Sequence, residues 1–295
     1  MLIGLEKLEE HLLRSVYTGR FPHAHIFEGP FGCGKRTLTD LLCRVLHCES
    51  ENPPCGVCQQ CLRHAHGNQA NMIRFVPEKN VKVEEIRSLL KEVAVRPFDG
   101  GRLTVVIECA DRLTPQAQNA LLKTLEEPAD YAVFFLITER ISALLPTIIS
   151  RCAVHHVYPL SEEVCAQALM QKGIEPERAL LLAQAAHGSV GRAMQIDADK
   201  AYMDDVHSVN SILNAVRTMA DIPGAVSQLA DDKRDPGRTM DLIESWARAH
   251  LMENGILPGA RLLECVADAR MRMASNVSKQ YAMEIMLYNT IKNGR

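Results

Sequence analysis

Residues 29–37, GPFGCGKRT, constrain the fold of this chain most, because they nearly match the phosphate-binding pattern G-x-x-x-x-G-K-[ST]. An apolar segment precedes them at 23–28 and an amphipathic one follows at 37–47, which gives the strand, loop and helix that the pattern requires. The residues that would cradle an anion are Gly29, Gly32, Gly34 and Lys35. The sequence predicts a phosphate-binding loop; a glycine-rich turn without a ligand is the alternative.

One position of the pattern is altered. Arg36 stands where Ser or Thr would ligate magnesium. Thr37 follows one residue later, and on a helix it lies about 100° from the required direction. We keep Thr37 among the candidate nucleotide-binding residues, but the substitution argues against a bound magnesium ion.

Length and composition limit the class of protein. A chain of 295 residues is long enough for two or three domains, and a net charge of −3 provides no overall basic field for DNA. No apolar run is long enough to span a membrane, and the N-terminus lacks a secretory pattern, so we expect a cytoplasmic protein. Ten cysteines in such a chain favour thiols and a metal site over a disulfide framework.

Strand and helix patterns alternate as far as about residue 160. This predicts an α/β fold in which helices cover both faces of a parallel sheet. The predicted strands span residues 23–28, 72–78, 102–111, 132–138 and 152–160, and the predicted helices span 5–18, 37–47, 81–95 and 114–128. Ligands of such sheets bind at the carboxyl ends of the strands, where the loop, Glu108 and Thr138 fall.

Beyond residue 160 only helical patterns remain. We expect three short helices in a small domain, followed by a second all-helical domain. The helical segments span residues 161–173, 175–189, 190–195, 208–220, 222–230, 238–253, 258–275 and 278–293. In the last domain, Trp246 and several methionines fit either a ligand-binding face or, as we prefer, core and interface packing.

Four cysteines follow the predicted phosphate-loop helix. Their spacing is C-x6-C-x2-C-x2-C, and the residues are Cys48, Cys55, Cys58 and Cys61. Zinc in structural sites takes four ligands, and C-x2-C places two thiolates on one turn. A structural zinc site is the prediction, because four thiolates leave no position open for water; free or redox-active thiols are the alternative.

Two further positions bear on phosphate chemistry. Near the carboxyl end of the predicted 102–111 strand, Glu108 occupies the place of a magnesium-binding Asp, and Cys109 occupies the place of a water-activating Glu. Glu108 is open to two interpretations, residual metal binding or a polar strand end. Arg151 lies between a short helical segment and the last strand, where an Arg is usually a helix-dipole or salt-bridge partner.

Together these features resemble a known family, the clamp-loader subunits of the AAA+ superfamily, and most closely the delta-prime subunits of bacterial DNA polymerase III. The segments that carry the resemblance are HAHIFEGPFGCGKRTL, the four-cysteine insertion, ADRLTPQAQNALLKTLEEP, FFLIT, TIISRC, GSVGRAM and, more weakly, NVSKQYAMEIML. It implies an AAA+ P-loop domain with the zinc insertion, a small helical lid and an all-α collar that joins a ring of subunits. The implied boundaries are 1–158 with the insertion at 48–61, then 159–203 and 204–295.

The resemblance also implies roles for residues and partners. Arg151 would act in trans on the ATP of a neighbouring subunit, and Thr138 corresponds to a polar sensor on the fourth strand. The catalytic subunits carry a lid arginine at the place of Gly191, whereas here Arg192 comes one residue later. The implied partners are delta-like and tau/gamma-like subunits, together with the sliding clamp and primed DNA, reached through the complex during DNA replication.

The sequence is compatible with two functions within this family and with one outside it. The first is a non-motor subunit that braces the complex and donates Arg151; the second is the catalytic, ATP-hydrolysing motor subunit. Arg36, Cys109 and Gly191 replace groups needed for hydrolysis, so we expect intrinsic ATPase activity to be weak or absent. Binding of ATP or ADP is still compatible with the loop. We expect no polymerase site in this chain. A free-standing zinc-dependent nucleic-acid binder is disfavoured, because the cysteine segment has few basic or aromatic residues.

Overall fold

The structure is a computed structural model that describes residues 2–77, 79–97, 100–232, 234–251, 257–275 and 277–292. Positions 78, 252, 253 and 293 of the predicted elements lie outside these residues. The chain divides into two compact units, Met1–Leu160 and Ser161–Arg295.

Unit 1 alternates strands and helices, as the sequence predicts. Its described strands are β1 (Ala24–Glu28), β2 (Met72–Phe75), β3 (Leu103–Ile107), β4 (Ala132–Thr138) and β5 (Ala153–His156). Its helices are α1 (Glu6–Tyr17), α2 (Lys35–His47), α3 (Gln59–Ala65), α4 (Val83–Val93), α5 (Pro115–Glu126) and α6 (Pro146–Ile149), with 3-10 turns at Ala110–Arg112 and Ile141–Ala143. Helix α3 is not among the predicted elements, because it begins inside the cysteine insertion and its seven residues show no apolar period.

The strands form one parallel sheet in the order β2-β3-β4-β1-β5. The register pairs Glu28 with Thr138 and Ile107 with Leu136, so β1, β3 and β4 end at the same edge. This arrangement confirms the predicted α/β fold class with a parallel sheet. It also brings the phosphate loop, Glu108 and Thr138 to the carboxyl edge of the sheet.

Both faces of the sheet are buried, which explains why the strands read as continuous apolar runs. Neighbouring strand residues point to opposite faces, so Val105 and Phe134 pack with α4, α5 and α6, whereas Val106 and Phe135 pack with α1 and α2. These four side chains are fully buried. Because one helix layer contains α2, the packing of the sheet also fixes the position of the phosphate loop at the start of that helix.

Helix ends follow the local signals in the sequence. Thr114 caps α5 by accepting a hydrogen bond from the Ala117 N–H at 3.3 Å, and Pro115 occupies the first turn. Ser161 caps the first helix of unit 2 in the same way, through the Val164 N–H at 3.4 Å. These contacts confirm Thr114 as the predicted N-cap.

Unit 2 is built from helices throughout its described residues. They are α7 (Glu162–Met170), α8 (Pro176–Ala185), α9 (Val190–Ala198), α10 (Lys200–Ala215), α11 (Ile222–Leu229), α12 (Pro236–Ala249), α13 (Gly259–Ala274) and α14 (Lys279–Lys292), with a 3-10 turn at Met219–Asp221. The division of this unit into a lid (159–203) and a collar (204–295) stays a prediction.

The aromatic and sulfur-containing side chains of unit 2 mostly serve packing. Met283 and Met286 are fully buried in α14, and Trp246 is nearly so. The Trp246 indole N–H donates to Asn214 Oδ1 at 3.1 Å, and its ring stacks on His250. Met271, by contrast, is exposed. Across the described residues, no helix combines the length and apolar character that crossing a bilayer requires.

A pair of histidines lies in the core of unit 1. His25 on β1 is fully buried, and its Nδ1 lies 3.0 Å from Nε2 of His155 on β5. Its Nε2 lies 3.0 Å from the carbonyl oxygen of Pro22, which can only accept. His25 therefore donates through Nε2 and accepts at Nδ1 from the His155 N–H, and both rings are neutral. Burial, with the nearby His155, lowers the pKa of His25 to about 3.

Because His25 is buried in its neutral form, we expect the folded protein to lose stability in acid. A folded-state pKa below the unfolded value means that the unfolded state binds more protons, so the stabilisation is present above about pH 6.5 and is lost as the pH falls. Between pH 7.5 and pH 5 we expect His25 to account for about 2 kcal/mol of lost unfolding free energy. Urea titrations at both pH values measure it. The His25→Phe variant should show a smaller pH dependence, and an unchanged dependence would contradict the role of His25.

Candidate functional site

The phosphate loop has the geometry that its glycines predict. Gly32 and Gly34 adopt positive φ angles of 79° and 91°, and Gly34 is the N-cap of α2. The Gly29 N–H donates to the Thr138 carbonyl oxygen at 3.2 Å, which fixes the loop to the end of β4. Lys35 is 6% exposed and donates to the carbonyl oxygens of Gly29 and, at 2.6 Å, Pro30. The loop is therefore folded around its lysine at the start of a 13-residue helix.

Gly29 is required sterically. A Cβ atom at this position would lie 1.9 Å from the carbonyl oxygen of Val157, and the residue has a φ of 150°. A backbone oxygen cannot move aside as the end of a flexible side chain can. The loop approaches the segment after β5 so closely that no other residue fits at position 29.

Two arginines pair with the carboxylate at the acidic position of the P-loop pattern. Arg36 Nε lies 3.3 Å from Glu108 Oε1, and Arg74 on β2 forms ion pairs with both Glu108 and Asp40 on α2. Magnesium needs a nearly octahedral set of oxygen ligands. Here Arg36 replaces the hydroxyl residue, and the Glu108 carboxylate already pairs with the guanidinium groups of Arg36 and Arg74. The residues present therefore do not fit magnesium. Thr37, the remaining hydroxyl, is exposed on the first turn of α2.

Cys109 cannot replace a water-activating carboxylate. Burial raises the pKa of its thiol, so that the group is neutral at pH 7. A neutral thiol is a donor and does not accept a proton from water. Its backbone has a φ of 48°, which is uncommon for a residue other than glycine.

Thr138, the predicted sensor, forms hydrogen bonds with Asp111 and Arg140, which lie near it at the carboxyl edge of the sheet. Its hydroxyl lies 3.1 Å from Asp111 Oδ1 and 3.2 Å from the Arg140 carbonyl oxygen, and it accepts from the Arg140 N–H at 3.1 Å. The side chain is fully buried. These bonds hold the turn after β4 beside Asp111, and a contact between Thr138 and nucleotide stays a prediction.

Arg151 lies at the opposite edge of the sheet from the phosphate loop. It comes just before β5 and lines an open depression of about 450 Å³ with His23, which precedes β1, and with the end of α5. In a parallel sheet, the amino ends of β1 and β5 are remote from the carboxyl ends that carry the loop. Arg151 therefore cannot reach a nucleotide held by its own chain.

The Arg151 guanidinium has partners within its own chain. It donates to the Thr147 carbonyl oxygen at 2.8 Å and forms an ion pair with Glu126 at the end of α5. The first contact is the helix C-terminal interaction that the sequence favours. The side chain is still 32% exposed, so one side of the guanidinium faces solvent.

The four cysteines converge as predicted. One sulfur atom from each of Cys48, Cys55, Cys58 and Cys61 lies within 4.8 Å of all the others. The sulfurs of Cys48 and Cys58 are 3.9 Å apart. This is the compact donor set that a tetrahedral zinc ion requires.

Backbone N–H groups stabilise negative charge on these sulfurs. The N–H groups of Cys55, Cys58 and Cys61 point at the sulfurs of Cys48, Cys55 and Cys58 over 3.3–3.5 Å. Hydrogen bonds from the Glu49 and Cys61 backbone lower the pKa of the Cys58 thiol to about 6. Backbone hydrogen bonds also lower the pKa of Cys55, whereas burial raises the pKa of Cys61 to about 12. Two of the four thiols thus favour the thiolate, the form that binds metal.

Sequence reasoning missed three side chains of these sites: Asp40, Arg74 and Glu126. Arg74 gave the clearest signal, a charged residue inside an otherwise apolar strand. Arg192, one residue past the predicted lid-sensor position, forms an ion pair with Asp241 on α12 at 3.0 Å. The positive charge of Arg192 is therefore neutralised by a carboxylate of unit 2.

A family model described as "DNA polymerase III, delta subunit" matches residues 4–161. The chain belongs to the clamp-loader subunit family of DNA polymerase III. It is 32% identical over 195 residues to the delta-prime subunit of Bacillus subtilis, covering 65% of this chain and 59% of that protein. It is 30% identical over 296 residues to the tau subunit of Escherichia coli, covering 97% of this chain and 46% of that protein.

The fold has a counterpart among solved structures. A gamma subunit-related protein of Thermotoga maritima shares 18% sequence identity, with a TM-score of 0.52, over 97% of this chain and 99% of that one. At this identity the likeness concerns the fold. The chain matches only about half of the length of its tau and delta-prime relatives.

The close approach of Gly29 to Val157 predicts that Gly29→Ala strongly destabilises unit 1. We expect a loss of about 3 kcal/mol or more in unfolding free energy, because the new Cβ clashes with a backbone oxygen in addition to the backbone strain. Chemical denaturation measures the loss.

Gly19→Ala is the matched control. Gly19 also has a positive φ, 68°, but a Cβ there meets no atom within 4 Å. It should cost only the conformational strain, about 1–2 kcal/mol. Equal losses for the two variants would show that contact with Val157 is not the cause.

Proposed function

We propose that this chain is a delta-prime-like subunit of the DNA polymerase III clamp loader. In this role it braces the complex and donates Arg151 to the ATP of a neighbouring subunit while the sliding clamp is loaded on primed DNA. The observation that carries the proposal is the placement of Arg151, half-exposed at the edge of the sheet remote from the chain's own phosphate loop.

The composition of the phosphate site supports a non-motor role. Hydrolysis of ATP needs a metal ion and a group that orients or activates water. Arg36 and Cys109 stand at the two positions, and neither can perform the task. Without both groups, we expect the activation free energy of ATP hydrolysis to rise by several kcal/mol. Each increment of about 1.4 kcal/mol corresponds to a tenfold loss of rate.

The contacts of Arg151 support a role in trans. A guanidinium stabilises the charge that develops on a transferring phosphoryl group, and such arginines are worth about 10³–10⁵ in rate. Glu126 neutralises the side chain while no phosphate is near. A triphosphate carries more negative charge than one carboxylate, so it would compete successfully with Glu126 for Arg151.

The catalytic motor subunit is the alternative function. The identity with the Escherichia coli tau subunit extends over nearly the whole chain and favours it. The altered metal and water positions oppose it. ATP or ADP binding without turnover is compatible with the glycines and the lysine of the loop.

We infer that the four-cysteine cluster holds a structural zinc ion. Four sulfur ligands complete a tetrahedron and leave no open coordination position, so the ion would stabilise the insertion and perform no chemistry. The Tyr17 hydroxyl donates to the Pro53 carbonyl oxygen at 2.8 Å and ties this insertion to α1.

Delta-like and tau/gamma-like subunits are the partners that this role requires, with the clamp and DNA reached through the complex. The helices of unit 2 would supply the lid and the collar that join the other subunits. The cytoplasmic location remains the expectation drawn from the sequence.

The cysteine geometry predicts one zinc ion per purified chain, as measured by atomic absorption. Cys58→Ser should remove the metal and lower the melting temperature, because folding and metal binding are coupled. Cys265→Ser, which changes a cysteine of α13 outside the cluster, should retain the zinc. Wild-type protein without zinc would overturn the metal assignment.

The trans role predicts that Arg151→Ala impairs ATP hydrolysis in the assembled clamp loader. The rate at the affected site should fall by about 10³-fold, while the other sites continue to turn over. Single-turnover ATPase assays of the reconstituted complex measure the change, and gel filtration checks that the complex still assembles.

Arg178→Ala is the matched control, because Arg178 also forms an ion pair, with Asp197 at 2.6 Å, but lies in unit 2. It should leave the rate unchanged. An unaltered rate in the Arg151 variant would remove the finger role. Rapid turnover by the isolated wild-type chain would support the motor alternative instead.

A further inference from the structure

The ion-pair cluster of Arg36, Glu108 and Arg74 has a specific relation to the P-loop pattern. In a magnesium-dependent loop, the metal lies between the hydroxyl that follows the lysine and an acidic residue at the end of a neighbouring strand. Arg36 is the residue that follows Lys35, and Glu108 is the acidic residue directly after β3. Their 3.3 Å contact therefore joins the same two sequence positions that a metal ion would join.

We propose that the Arg36 guanidinium replaces magnesium in this pocket, so that the loop binds the diphosphate or triphosphate of a nucleotide in its metal-free form. This goes beyond the proposed clamp-loader role. It concerns the chain's own phosphate loop, and it is measured on the isolated chain, so either proposal can fail without the other.

The loop retains the groups that bind phosphate. Lys35 uses two of its three N–H groups on the loop carbonyls of Gly29 and Pro30, which leaves the third for an anion. The N-terminal N–H groups of α2 lack intrahelical acceptors, as in every helix, and the loop wraps around this terminus. Phosphate binding by these groups needs no metal.

The charges around the pocket favour a metal-free ligand. Lys35, Arg36 and Arg74 carry positive charge. The carboxylates of Glu108 and Asp40 pair with the two arginines, and Glu28 and Glu139 lie near Lys35. A free diphosphate meets the Lys35 ammonium and the exposed Arg36 guanidinium without adding positive charge to the site. A magnesium–nucleotide complex brings two additional positive charges toward Arg36 and Arg74, and it finds Glu108 already engaged by both.

Arg36 is well placed for this task because its side chain is 64% exposed. It bonds to Glu108 on one side and keeps N–H groups available for phosphate oxygens on the other. Glu108 and Arg74 are only 13% and 19% exposed, so the exposed Arg36 side chain packs against a largely buried ion pair.

The test is titration of the purified 295-residue chain with N-methylanthraniloyl-ADP, followed by fluorescence, once in EDTA and once in millimolar magnesium chloride. We expect wild-type protein to bind in EDTA, and magnesium to leave the affinity unchanged or to weaken it. Arg36→Thr restores the P-loop hydroxyl and removes the charge. In this variant we expect binding in EDTA to weaken by about tenfold or more, and the ratio of the dissociation constants in magnesium and in EDTA to fall.

Two further variants make the test specific. Arg36→Lys keeps the charge and should retain metal-free binding. Arg87→Thr removes an exposed arginine of α4 and should behave as wild type, which excludes a general effect of net charge. Thermal melts verify that each variant is folded. Absence of wild-type binding in EDTA, binding that requires magnesium, or an Arg36→Thr variant identical to wild type would each overturn the proposal.

Discussion

Burial of both faces of the parallel sheet is the constraint on which the rest of unit 1 depends. Val105 and Val106, like Phe134 and Phe135, point to opposite faces, so helices must cover both. Each parallel connection then crosses from the carboxyl end of one strand to the amino end of the next. The sheet consequently has two chemically different edges. The phosphate loop and Glu108 lie at one, and Arg151 lies at the other.

The sequence predicts what depends on local period and spacing. Strand β4 has the bounds that the apolar run 132–138 predicts, and Thr114 caps α5 as expected. The four cysteines also converge, because most of their spacing consists of short steps within one turn. In each case, the residues that interact are close in the chain, so their spacing in the sequence is enough to predict the contact.

Contacts between distant segments could not be predicted in the same way. Arg74 reaches Asp40 and Glu108 across 34 positions each, and Arg151 reaches Glu126 across 25. No local pattern marks such partners, because they meet only after the strand order β2-β3-β4 is set. The sequence therefore indicated that the metal and water positions are altered, but not that Arg36 and Arg74 both pair with Glu108. The buried histidine pair of β1 and β5 was missed for the same reason.

An arginine in place of magnesium separates phosphate binding from catalysis. A guanidinium carries one delocalised charge, which suffices to neutralise a phosphate oxygen and to form directional hydrogen bonds with it. It cannot coordinate water or lower the pKa of a bound water molecule, as a metal ion does. In the proposed arrangement, the glycines and the lysine still form a phosphate cradle, while the groups that would hold magnesium and activate water are replaced. The proposed trans role of Arg151 needs a guanidinium that its own phosphate loop cannot reach, and the amino edge of the sheet is remote from that loop.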